Sequence, residues 1–219
     1  MHSVGVAALA FTLHAVLGAA PVRSEEARTF EQPSSREEIA QAMQELERKY
    51  GKDAVAFEGQ LLGQAVRSGS ILAAVISVPG VRERDGARFL AFDLDTGIIF
   101  NDRHTGAAQR PAEVWTQIVV PSLQQFAALR LPADGVALLI SYRHRPYADL
   151  SELHAHLRND PGPTETAAFY VRIADAAELA AKRLTSQQLV DRSTVLVNDT
   201  PRRLTVPEPT PVPTAGAGS

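Results

Sequence analysis

Apolar and polar positions follow two different periods along the second half of the chain, and the switching between them predicts alternating strands and helices. FLAFD (89–93), VALLIS (136–141), AAFYVRI (167–173) and TVLVN (194–198) are apolar runs of strand length. Between them lie segments of helical character: Pro121 to Leu129 with proline at its first position, Asp149 to Leu157, and Asp175 to about Val190. IIF (98–100) reads as one arm of a short flap. Strands separated by helices of this length predict a Rossmann-like parallel sheet with right-handed crossovers and helices on both faces, and little or no cap. In such sheets ligands gather where strands end, at their carboxyl termini.

Upstream the pattern is less regular. Residues 1–22 are almost wholly apolar, and positions 4–22 have the length of a membrane-crossing helix. The segment reads either as an anchor or as a cleaved secretory signal, with small residues at Gly18 and Ala20 or Val22 and Ser24 suiting cleavage. Residues 23–87 read as a linker and N-terminal extension. Within it, 24–34 form a polar tether, and a helix over 35–50 starts with Ser35 and Glu38 as a capping box and carries Ile39, Met43, Leu46 and Tyr50 on one face. Ile71 to Val78 has strand character, though its periodicity also accommodates a helix. One α/β domain is expected over 88–204, followed by a Pro- and Thr-rich tail, 205–219, too poor in large apolar residues to build a core.

Composition removes several function classes. With 22 Lys and Arg against 25 Asp and Glu, scattered and not clustered, the chain lacks the footprint of a nucleic-acid or anionic-lipid binder. The absence of cysteine excludes disulfides, thiolate metal sites and a cysteine nucleophile. Lysine occurs only at Lys49, Lys52 and Lys182, so Lys182 is the one ammonium of the second half.

Polar groups concentrate where the apolar runs stop: Asp93 and Asp95, Ser141, and Asn198 with Asp199. This set suits phosphoryl transfer through an aspartyl-phosphate, with one carboxylate attacking, a second serving as acid and base, and a third completing a Mg²⁺ site. A hydroxyl and an ammonium would balance the phosphoryl charge. Each piece also has a plain reading. Asp95-Thr96-Gly97 and Asn198-Asp199-Thr200-Pro201 are good turn sequences, and a helical lysine is ordinarily just solvated. His154 and His156, two apart on a helix, do not share a face, and Arg143-His144-Arg145 reads as a solvated loop or a helper for an anionic substrate.

In order and spacing, FDLDTG, LLIS, Lys182 and VLVNDTP resemble the four motifs of the haloacid-dehalogenase superfamily. QRP at 109–111, YADL at 147–150 and the NDTP turn are similar to one branch, the RNA-polymerase C-terminal-domain phosphatases together with the receptor subunit of the mitochondrial inner-membrane presequence translocase. The resemblance implies Asp93 as nucleophile, Asp95 as acid and base, Ser141 and Lys182 as phosphate holders, and Mg²⁺ held by Asp93, Asp95 and Asp199. It implies one of two functions. The first is a Mg²⁺-dependent phosphatase acting on a phosphoprotein or phosphate ester. The second is a non-catalytic receptor tethered to the mitochondrial inner membrane and facing the intermembrane space, with preproteins and translocase subunits as partners. If residues 1–24 are a cleaved signal, the location becomes secreted or periplasmic. Two positions depart from the family pattern: Gly97 stands where threonine is usual, and Asn198 where aspartate is usual.

Overall fold

The computed structural model describes residues 36–68, 75–76, 79–124, 130–149, 151–153 and 162–206. Helices α1 (Arg36–Tyr50) and α2 (Lys52–Arg67) come first. The expected amphipathic face of α1 is present, with Leu46 and Tyr50 buried and Met43 packed against the core. Helix α2 fills a region whose glycines had masked its period, and it buries Phe57, Leu61 and Ala65. Of the expected strand at 71–78 only β1 (Val75–Ile76) is described. The apolar segment 1–22 and the tail after Val206 lie outside the described residues.

Strand β2 (Gly80–Arg84) turns at Asp85 and Gly86, both with positive φ, into β3 (Ala87–Asn101). A two-residue Asp-Gly loop with φ positive at both positions matches the twist of the flanking strands. β3 is continuous through FDLDTGIIF, so 98–100 is no flap. Two further helices, α3 (Arg110–Val114) and α4 (Val120–Gln124), flank one π turn over Trp115–Val119. Then follow β4 (Gly135–Arg145), β5 (Thr164–Arg172), α5 (Ile173–Ala180), α6 (Ser186–Arg192), β6 (Thr194–Val197) and β7 (Thr200–Pro201).

The fold is mixed α/β, and its seven-stranded sheet runs β1-β3-β4-β5-β6-β7 with β2 also on β3. Among the described strands only β3 and β4 pair in parallel; β4–β5 and β5–β6 are antiparallel. The expected all-parallel sheet is therefore corrected. The cause lies in two connections. Gly162, φ +89, sits against the carbonyl of His144, so close that a Cβ would come within 2.5 Å of it. The chain thus re-enters at the end where β4 leaves, and β5 must run back. The single helix expected over 175–190 is instead two. Lys182, φ +58, ends the first, and Thr185 starts the second with a capping box to Gln188. A helical hairpin returns the chain to the end it left, so Thr194 pairs with Tyr170 and β6 also runs antiparallel.

Among the described residues, helices α1 to α6 fall on one side, where helices on both were expected. The main core joins α1 through α6 to one sheet face through contacts such as Phe57 on Phe92 and Trp115 on Phe169, with ring centroids 5.1 and 5.5 Å apart. The other face carries a smaller cluster built from strand residues alone, including Phe89, Ala91, Ala137 and Tyr170. No helix of the described residues is long and apolar enough to cross a membrane.

Candidate functional site

Side chains alternate across a strand, so Asp93 and Asp95 follow Ala91 onto the strand-built face, while Phe92 and Leu94 enter the main core. Both aspartates stand in mid-strand and not at a strand end. Asp95 is in register with Ser141 of β4, and Ser141 with Thr166 of β5. The hydroxyls of Ser141 and Thr166 are hydrogen-bonded at 2.9 Å. Asn198 closes the row: its amide donates to the Thr166 carbonyl, and its side-chain oxygen accepts from the Thr166 N–H at 3.0 Å. Asp95, Ser141, Thr166 and Asn198 therefore form one line across three strands and the turn that follows β6.

Immediately after Asp95 the register slips, so that Asp95 faces Ser141 but Ile99 faces Arg143. The extra residues form a bulge, and Gly97, φ +60, is its left-handed position. Asp95 Oδ1 accepts from the Gly97 amide at 3.0 Å, and buried Thr96 donates to the Ser141 carbonyl while accepting from the Ile98 amide. Glycine at position 97 thus suits the backbone here. Asp95-Thr96-Gly97 is accordingly a bulge within one strand and not a hairpin turn between two. Asn198 and Asp199, φ +47 and +61, are the two-residue hairpin turn between β6 and β7, a conformation asparagine and aspartate tolerate better than most residues.

Each carboxylate faces a guanidinium: Arg82 Nη2 lies 4.0 Å from Asp93 Oδ1, and Arg143 Nη2 lies 3.9 Å from Asp95 Oδ2. Among the described residues no group of three or more aspartate, glutamate or histidine side chains is arranged to hold a metal ion. Asp93 and Asp95 lie on β3, and Asp199 lies in the turn between β6 and β7. Lys182 is not brought to the row. It lines a cleft of the helical layer with Leu179, Leu184 and Val120, members or neighbours of the core on the opposite sheet face.

Among the described residues, the most heavily bonded polar cluster is one that motif spacing did not reveal. Arg110 is 6% exposed; it donates through Nε and Nη2 to Glu165 Oε2 (3.2 and 2.7 Å) and through Nη1 to Asp102 (2.9 Å). His144 Nδ1 is 2.8 Å from the other Asp102 oxygen, and the Tyr142 hydroxyl donates to Glu165 Oε1 at 3.0 Å. Burial and the Glu165 carboxylate hold the Tyr142 hydroxyl far above its usual range. His144, read as part of a solvated loop, is a strand residue of this network. Glu165 is buried two positions ahead of the apolar run 167–173, where no alternating pattern in the sequence marks it as inward.

Fold and site define a mixed α/β protein with a polar row across its sheet and a buried ionic cluster at one rim. The chain matches no family model, no curated protein and no solved structure.

Proposed function

We propose that the chain is a non-catalytic binding protein, the receptor-like of the two functions its motifs imply. The observation that carries this reading is the separation of the motif residues. Asp93 and Asp95 face arginines on one side of the sheet, and the only lysine of the phosphatase set serves a cleft on the other. An aspartyl-phosphate route needs nucleophile, acid, cation and ammonium around one phosphorus. The mitochondrial inner-membrane setting, with preprotein and translocase partners, rests on the motif resemblance and the apolar segment 4–22. Fractionation and crosslinking address it.

A second reading, a Mg²⁺-dependent aspartate-based phosphatase of the Rossmann-like haloacid-dehalogenase type, is favoured by the side-by-side register of Asp95 and Ser141. A chromogenic phosphate-ester assay with Mg²⁺ decides between the two. The binding reading expects no turnover that Asp93→Asn removes. Turnover abolished by Asp93→Asn overturns it.

A further inference from the structure

The cleft beside Lys182 occupies about 580 Å³, within the range of small-molecule sites. Its walls include Val120, Pro121, Leu179, Leu184 and Val206. Most of its polar lining is already committed inside the protein. Thr116 donates to the Ala112 carbonyl, and the Thr185 hydroxyl accepts from Gln188. Ser186 accepts from the Trp115 indole, and Gln187 both donates to Leu204 and accepts from Val206. Lys182 is different. It is exposed, it is the only charged residue among those lining the cleft, and no carboxylate of the described residues pairs with it.

Two backbone features single out the same place. Lys182 occupies a left-handed position, φ +58, where glycine would fit at lower conformational cost. One wall of the cleft includes Thr116 of the π turn Trp115–Val119, with Val120 and Pro121 just after that turn. Pro121 has no N–H to offer the preceding turn, and π turns, which cost regular helical bonding, occur frequently at functional sites.

We propose that this cleft binds a small amphipathic monoanion, a carboxylate on a hydrocarbon body, with Lys182 holding the head and the apolar wall the body. The chemistry follows from the lining: a neutral apolar molecule would leave the ammonium unused, and inorganic phosphate would leave the apolar wall wet. The proposal goes beyond the binding reading and shares with it one observation, the placement of Lys182 at a cleft of the helical layer.

Trp115 is the only tryptophan of the chain, and its indole is bonded to Ser186 at the cleft, so its fluorescence reports occupancy. The probes are decanoate, decanol and inorganic phosphate, titrated into the full chain below the micellar concentration of decanoate. Decanoate is expected to give a saturable change, decanol to bind up to about fivefold more weakly, and phosphate to do nothing, because an exposed ion pair contributes at most about that factor. Lys182→Gly is expected to keep or raise the melting temperature, since glycine suits the left-handed position, while erasing the preference for decanoate; Lys182→Arg should restore it. Equal binding of decanoate and decanol by the wild type, a preference that survives Lys182→Gly, or no saturable response overturns the proposal. None of these outcomes bears on phosphate-ester turnover.

Discussion

Replacing Arg110 by methionine tests the weight of the buried ionic cluster. Methionine keeps most of the aliphatic bulk, so a cavity is not the main effect, and what disappears is the guanidinium. Glu165, whose side chain is 7% exposed, then loses both bonds to its Oε2, and Asp102 loses its 2.9 Å partner. Stripping one partner from a buried ion pair leaves an uncompensated charge and costs about 3–5 kcal/mol, more than the intact pair contributes over an apolar replacement. With a urea m-value of about 2 kcal/mol/M, the unfolding midpoint should fall by about 2 M, and the melting temperature by roughly 10 °C. The double variant Arg110→Met with Glu165→Gln removes the stranded charge and should recover more than about 1.5 kcal/mol. Circular dichroism in urea measures both. A midpoint shift below about 0.5 M for Arg110→Met, or a double variant no more stable than the single one, would refute the assignment of these residues as a coupled buried network.

Glu58 of α2 is buried, its Oε2 has no hydrogen-bond partner, and burial pushes its carboxyl up to about 7 from 4.5. An acid whose folded value lies above its unfolded one contributes fully at low pH and loses that contribution as pH rises through about 4.5 to 7. Glu58→Gln should therefore raise stability by about 2 kcal/mol at pH 8 and by much less at pH 4.5, a difference readable from denaturation midpoints at the two pH values. Gly97→Thr should destabilise the chain by about 1–2 kcal/mol, because a β-branched side chain at φ +60 is strained. An unchanged midpoint would show that the bulge can be rebuilt without its left-handed residue.

Much of the fold was legible because burial imposes short periods on the chain. The α1 face of Leu46 and Tyr50, the four apolar runs around residues 90, 138, 169 and 196, and the hairpin turn at Asn198-Asp199 follow from patterns a few residues long. A mixed α/β class followed from their alternation. Strand direction did not, because it depends on where a connection returns the chain. A helix unbroken from 175 to 190 would read much the same in its apolar spacing as the pair hinged at Lys182, yet the hinge decides that β6 runs antiparallel to β5.

The same limit governs the site. The row of Asp95, Ser141, Thr166 and Asn198 is half visible in sequence, as polar residues ending apolar runs, but Thr166 joins it only through cross-strand register. Lys182 satisfied the motif spacing and still came to rest on the helical side of the sheet. The ionic cluster gathers Asp102, Arg110, Tyr142, His144 and Glu165 from a turn, a helix and two strands as much as 63 positions apart along the chain, and no local pattern encodes that meeting. What the sequence determined alone is where most of the apolar core lies and which local bends its turns permit, since those depend on side-chain chemistry and nearest neighbours. Which faces the charged groups share was decided only by the packed chain, because it turns on the path of the connections and the register of strands that are distant in sequence.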